Sequence, residues 1–69
     1  KFIGYQLFDG EIGNIGEIME VIEFPQQEMA VVSYQGVEIY IPLNEHFIVK
    51  RDTKLKELTM DLPEGILDI

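Results

Sequence analysis

The sequence predicts an all-β domain, a small barrel of six strands with a short C-terminal turn or helix. Short runs of apolar, β-branched and aromatic residues recur between turn residues, at a spacing of roughly 8 to 12 residues. The chain has 69 residues, which is the size of one domain. A closed barrel is favoured over a sandwich, since closure removes the edge strands that a very small sandwich would leave open.

The segment from Met29 to Leu43 is the predicted centre of this domain. Two apolar runs flank Gln35-Gly36, which is the length of the tightest hairpin connection, and the glycine allows a positive φ. Pro42 cannot donate a hydrogen bond to a central ladder, so it marks the exit of the second strand. This strand places alternate side chains on one face, at Val37, Ile39 and Ile41.

Residues 14–24 are compatible with either a helix or a strand. The apolar residues lie at helical spacing, with glutamates on the opposite side. A strand requires a bulge, because strict alternation fails between Ile18 and Val21. Gly16 and the many β-branched residues disfavour a helix, and turn residues bracket a length that suits a long, bent strand. We therefore predict a strand.

The remaining elements follow from shorter patterns. Asp9-Gly10 and Asp52-Thr53-Lys54 are turn signals. Asn44-Glu45 is predicted as a short loop or one turn of helix. The apolar tail, at Ile66, Leu67 and Ile69, should fold back onto the domain. The other predicted strands cover residues Phe2–Phe8, Phe47–Arg51 and 57–62.

The formal charge of −8 limits the possible partners. A negative surface repels phosphate, so direct nucleic-acid binding is disfavoured. The same field attracts a basic protein, although acidity can also serve solubility alone. No apolar run approaches the roughly 18 residues of a membrane span. The absence of cysteine is consistent with a reducing compartment. Because the chain begins at Lys1 without an initiator methionine, we expect a fragment of a longer protein.

No pattern in the sequence predicts catalysis, a metal or a cofactor. His46 is the only imidazole, and a structural role for it is favoured. Glu17, Glu20 and Glu23 would not all face one way on a bent strand, which favours a solvated acidic face over a metal site. The spacing of the glycines at positions 10, 13 and 16 matches neither the dinucleotide-binding fingerprint nor a P-loop. It contains the G-x-x-G of an RNA-clamping loop, but Glu11 and Glu17 beside it would repel an RNA backbone, so a turn and a bend in a strand are favoured.

The large apolar residues leave two alternatives open. They either complete the core or leave a docking patch whose acidic rim selects the partner. The residues concerned are Phe2, Tyr5, Tyr34, Tyr40, Ile66 and Leu67.

Five segments resemble a known family. Residues 3–6 (IGYQ) and 13–18 (GNIGEI) are similar to the opening of the PRC-barrel domain. Residues 37–43 (VEIYIPL) and 47–52 (FIVKRD) resemble later elements of the C-terminal barrel of the RimM family of ribosome maturation factors. Residues 61–68 (DLPEGILD) resemble the closing signature of that family, which generic PRC barrels lack.

The resemblance implies a PRC-type barrel and a non-catalytic, cytoplasmic role in 16S rRNA processing and 30S maturation. It implies that residues 1–69 are the C-terminal domain of a longer protein whose N-terminal domain is a second partner. The implied external partner is a basic protein of the small-subunit head, protein nineteen in the standard naming. No cofactor, direct nucleic-acid contact or membrane is expected, and the isolated fragment could self-associate.

We expect the interdomain or partner surface at the end of the central hairpin and in the tail. The alternative function is a stand-alone PRC-barrel adaptor or regulatory module unrelated to ribosome assembly. The predicted surface residues are Pro42, Leu43, Glu45, Pro63, Glu64, Gly65, Ile66 and Leu67.

Overall fold

The computed structural model describes residues 1–67 and confirms an all-β domain of six strands. Asp68, the last residue of the closing signature, and Ile69, the last apolar residue of the tail, lie outside the described residues. A single 3-10 turn, η1 (Glu45–Phe47), lies between β4 and β5 and confirms the helical alternative for that loop. The strands are β1 (Gln6–Asp9), β2 (Gly13–Phe24), β3 (Gln27–Tyr34), β4 (Val37–Pro42), β5 (Ile48–Asp52) and β6 (Glu57–Met60).

The ambiguous segment is a strand, as predicted. β2 is 12 residues long and pairs with β1 and β3, both antiparallel. Its register against β3 shifts between Ile18 and Glu20, which is the predicted bulge. Gly16 has a φ of 144°, and a Cβ there would lie 3.0 Å from the carbonyl oxygen of Ser33. Glycine therefore lets β2 approach β3 closely where the strand bends.

The central hairpin has the predicted tight turn. Gln35 and Gly36 have φ angles of 51° and 79°, so both central residues are left-handed, as in a type I′ turn. This turn fixes the register of β3 against β4, in which Val31 lies opposite Tyr40 and Val32 opposite Ile39. The second strand buries Ile39 and Ile41, as predicted, whereas Val37 at its start is exposed.

The predicted closed barrel is wrong: within residues 1–67 the strands form an open sheet in the order β4-β3-β2-β1-β6-β5. Its end strands, β4 and β5, are not hydrogen-bonded to each other. Pro42 is the last residue of β4 and has no backbone N–H to donate to a further strand, and the chain after it leads into η1. The Leu43 N–H donates to the Glu28 carbonyl of β3, and the Asn44 carbonyl accepts from the Phe47 N–H, so neither group bonds to β5. β1 and β6 are parallel neighbours.

The first strand is shorter than predicted. Gly4 has a φ of 90°, and the Tyr5 N–H donates to the Phe2 carbonyl at 3.0 Å, so residues 2–5 form a turn. The Gly4 N–H still donates to Ile18 at 2.8 Å, which holds this turn against β2. At the other end of the chain, the Ile66 N–H donates to Pro63 in a turn, and no C-terminal helix is present among the described residues.

One hydrophobic core lies on one side of the sheet. It buries Phe2 and Tyr5, whose rings meet edge to face at 5.2 Å. Tyr34, Ile66 and Leu67 pack against it half-buried, which confirms that the tail folds back. The other buried members are Leu7, Ile15, Ile18, Ala30, Val32, Ile39, Ile41, Leu43, Leu58 and Met60.

Candidate partner-binding surface

The first predicted segment lies where β4 runs into η1. Pro42 is half-buried, whereas Leu43 is buried in the core, so its side chain anchors the loop. The Asn44 side chain caps η1 by accepting from the His46 N–H at 2.8 Å. Glu45 is exposed and accepts a hydrogen bond from the Arg51 guanidinium. Such an exposed ion pair contributes at most about 1 kcal/mol to stability.

The second predicted segment, residues 63–67, forms one wall of a groove of about 210 Å³. Pro63, Glu64 and Gly65 are exposed, and the two apolar residues after them turn half-inward onto the core. The opposite wall comes from the β1–β2 turn, through Asp9, Glu11 and Ile12. The groove, which we call the tail groove, thus has walls of mixed polar and apolar character, with two exposed carboxylates, Glu11 and Glu64, at its rim.

Asp9 holds the two walls of this groove together. One carboxylate oxygen accepts from the N–H groups of Glu11 and Ile12, at 2.9 and 3.0 Å. The other accepts from the Leu62 N–H at 2.9 Å, across 53 residues of sequence. Burial raises the pKa of this carboxyl, but the three N–H donors outweigh burial and set its pKa below the ordinary value. The Asp9-Gly10 pair indicated the turn, but no local pattern revealed the bond to Leu62.

The structure brings the two predicted segments to neighbouring positions. The Asp61 N–H donates to the Phe47 carbonyl at 2.7 Å, so the chain just before the second segment is bound to the end of η1. Leu43, Ile66 and Leu67 share the same hydrophobic core.

A second surface, of which the sequence predicted only Tyr40 and Pro42 as candidates, is the face of β2, β3 and β4 that points away from the core. Val31 is only 3% exposed, yet it is not part of the core cluster, because it points to the opposite side of β3 from Ala30 and Val32. Tyr40 lies directly opposite it on β4. Ile22, Met29 and Pro42 form the adjacent cross-strand row, and Phe24 follows on β2. We call these six residues the outer face: Ile22, Phe24, Met29, Val31, Tyr40 and Pro42.

The sequence contains a signal for this outer face. Residues 29–32 (MAVV) and 39–43 (IYIPL) are continuously apolar, which is typical of strands with apolar contacts on both faces rather than on one. Phe24 and Tyr40 are 50% and 46% exposed, so the large aromatic groups of this face are in contact with water.

Charge is separated along the chain. Residues 13–42 contain five glutamates and no aspartate, lysine, arginine or histidine, so this segment carries −5 of the total charge. Four of the five basic residues lie in the β5–β6 hairpin, at Lys50, Arg51, Lys54 and Lys56. Glu20 lies opposite Val31, and Glu38 opposite Ser33, so both belong to the side of the sheet that carries the outer face.

The described part of the chain shows no cluster for metal chemistry. His46 is exposed on η1, and no three His, Cys, Asp or Glu residues within 1–67 are grouped to hold a metal ion. Over the same residues, no helix is long and apolar enough to cross a membrane.

Comparison with known proteins identifies similar sequences over the whole chain. The family model of the RimM PRC barrel domain matches residues 1–66. The ribosome maturation factors RimM of Flavobacterium psychrophilum and Parabacteroides distasonis are 37% and 38% identical over 69 residues, which is 100% of this chain. The chain spans 40% of the length of these two relatives.

A solved structure has the same fold. The crystal structure of a 16S ribosomal RNA processing protein RimM from Pseudomonas aeruginosa superposes with a TM-score of 0.78. The match covers 90% of this chain and 41% of that protein, at 19% identity.

Proposed function

Since this chain belongs to the RimM PRC barrel domain family, we propose that it is a non-catalytic module of a ribosome assembly factor. In this proposal it binds a basic protein of the small-subunit head, protein nineteen, during 16S rRNA processing and 30S maturation in the cytoplasm. It does so as the C-terminal domain of a longer protein, together with an N-terminal domain.

The separation of charge is the observation that carries the choice of a protein partner. The acidic segment of residues 13–42 attracts a cationic polypeptide and repels an RNA backbone. The four clustered cations of the β5–β6 hairpin are too few to offset this field, and Arg51 is already paired with Glu45.

We assign the interdomain or partner surface to the β4–η1 loop and the tail groove. The exposed groups there are Glu45, Pro63, Glu64 and Gly65, supported by the half-buried Pro42, Ile66 and Leu67. Leu43 contributes by holding the loop on the core. The groove is concave and combines apolar side chains with carboxylates, which suits a protruding side chain of the N-terminal domain or of the partner.

Calorimetric titration of the full-length protein tests this function. Purified protein nineteen should bind, and its affinity should decrease as salt increases from about 50 to 300 mM, because screening weakens attraction between exposed charges. A 16S rRNA fragment without proteins should give no measurable binding at physiological salt. Tight binding to the bare RNA, or no binding to the protein, would contradict the proposal.

A further inference from the structure

We propose that the outer face of β2, β3 and β4 is the docking site for a short cationic segment of the protein partner. This inference rests on the proposed function and assigns the recognition of the basic partner to a surface different from the tail groove.

The outer face is apolar, whereas the solvent-facing side of an antiparallel sheet is normally polar. In the rows Ile22–Met29–Pro42 and Val31–Tyr40, apolar side chains face one another across neighbouring strands. None of these residues belongs to the core cluster. Contiguous exposed apolar groups rimmed by polar residues mark interaction sites.

The rim of this face is acidic. Glu20 ends the Val31–Tyr40 row on one side, and Glu38, two residues before Tyr40, lies on the same side of the sheet. Both carboxylates are exposed, and residues 13–42 contain no basic residue to neutralise them. A ligand with aliphatic or aromatic side chains flanked by lysine or arginine matches this arrangement, and arginine can also stack on the exposed ring of Tyr40.

The outer face is small. Six side chains, of which Val31 is already buried, offer far less than the roughly 800 Å² per partner that a stable interface between globular proteins buries. A second copy of the chain would therefore be held weakly on this face alone. A segment of a few residues, whose charges reach the two glutamates, fits the available area.

Variants of the full-length protein test the site. Replacing both exposed aromatic groups, with Phe24→Thr and Tyr40→Thr, should weaken binding of purified protein nineteen about tenfold or more, since buried aromatic contacts dominate such interfaces. The matched control is the double change Val49→Thr and Leu55→Thr, at two apolar residues that are 66% and 67% exposed outside the outer face. The control should change the affinity less than about twofold.

Mapping by NMR of the isotope-labelled wild-type protein provides an independent measurement that needs no variant. On addition of protein nineteen, the largest shift changes should fall on residues 20–24, 29–33 and 38–42. Binding with shifts confined to residues 9–12 and 62–67 would overturn the outer-face assignment and leave the proposed function intact. Absence of binding by the wild type would contradict the proposed function itself.

Two other occupants would give distinct results. If the N-terminal domain covers this face, the side chains of Phe24 and Tyr40 will contact that domain in the free full-length protein, which nuclear Overhauser effects detect, and residues 29–33 will not respond to protein nineteen. If a second copy covers it, the shifts of the same residues will change with protein concentration in the absence of any partner. Either result would overturn the assignment.

Discussion

The two faces of β2, β3 and β4 are both apolar, but they have different surroundings. On the inner face, Ile18, Val32 and Ile39 lie in one cross-strand row and are all buried in the core. On the outer face, the neighbouring row of Val31 and Tyr40 is bordered by Glu20, and Tyr40 remains 46% exposed. The same three strands thus supply the stability of the domain with one face and an acidic, apolar surface with the other.

This difference separates folding from binding at the level of single residues. Adjacent positions such as Tyr40 and Ile41 point to opposite faces. A change at Ile41 should affect the free energy of unfolding, and a change at Tyr40 should affect the affinity for a partner. The predictions below test this separation, beginning with the largest effect.

Truncation of the inner face should give the largest loss of stability. Ile41 is fully buried, so Ile41→Ala should lower the free energy of unfolding by about 2–5 kcal/mol, through lost burial and the cavity left behind. The adjacent control, Tyr40→Thr, should lower it by less than about 1 kcal/mol. Denaturant titration of both variants checks this, and equal losses would contradict the assignment of the faces.

Substitution at the bend of β2 should have the next largest effect. In Gly16→Ala the new Cβ would meet the Ser33 carbonyl oxygen at 3.0 Å and the Val32 side chain at 3.1 Å, at a φ that L-residues rarely adopt. We expect a loss of about 1–3 kcal/mol in the free energy of unfolding. Gly10→Ala, where a Cβ meets nothing within 4 Å, is the control for the loss of a glycine.

Neutralising Asp9 should loosen the tail groove without altering either face of the sheet. Asp9→Asn cannot reproduce all three charge-assisted bonds, so the free energy of unfolding at neutral pH should decrease by roughly 1–2 kcal/mol. Faster hydrogen exchange at the Leu62 amide would locate the effect. Unchanged exchange there would mean that Asp9 does not anchor the tail.

The pH dependence of the same pair of proteins gives a separate test. The pKa of Asp9 is lowered in the folded state, so its contribution is complete above the unfolded pKa of about 3.9 and is lost as pH falls through the lower folded pKa. The difference in unfolding free energy between the wild type and Asp9→Asn should therefore disappear below about pH 4. A constant difference in unfolding free energy from pH 7 to pH 2 would contradict this.

The smallest effect is expected at the turn that sets the register of both faces. Gln35 is left-handed with a φ of 51°, a conformation that asparagine tolerates better, so Gln35→Asn should raise the free energy of unfolding by up to about 1 kcal/mol. Thermal unfolding would detect the gain. A decrease would mean that the turn is held by contacts of the Gln35 side chain.

Local patterns were sufficient to predict most of the strands. The Gln35-Gly36 turn, the bulge in β2 and the helical turn after Asn44 all follow from residues close together in sequence, and the structure confirms them. The first strand was predicted too long, since nothing around Gly4 indicates that its φ is positive rather than extended.

Long-range features could not be predicted in the same way. Closure of a barrel depends on whether β4 and β5 meet, and this is decided by the path of the loop between them rather than by the pattern of either strand. The bond from Leu62 to Asp9 joins residues 53 positions apart and has no local signature. Only Tyr40 and Pro42 of the outer face were predicted, because residues 29–32 and 39–43 are continuously apolar and their pattern does not show which side of the sheet the core covers.

The most direct test of the central claim compares two double variants that each remove two negative charges. Glu20→Gln with Glu38→Gln removes the carboxylates beside the outer face, and Glu11→Gln with Glu64→Gln removes those at the rim of the tail groove. The affinity of each full-length protein for protein nineteen would be measured across a range of salt concentrations. Our account predicts that the outer-face pair weakens binding and reduces its salt dependence, while the groove pair behaves like the wild type. Equal effects of the two pairs, or an effect of the groove pair alone, would contradict it.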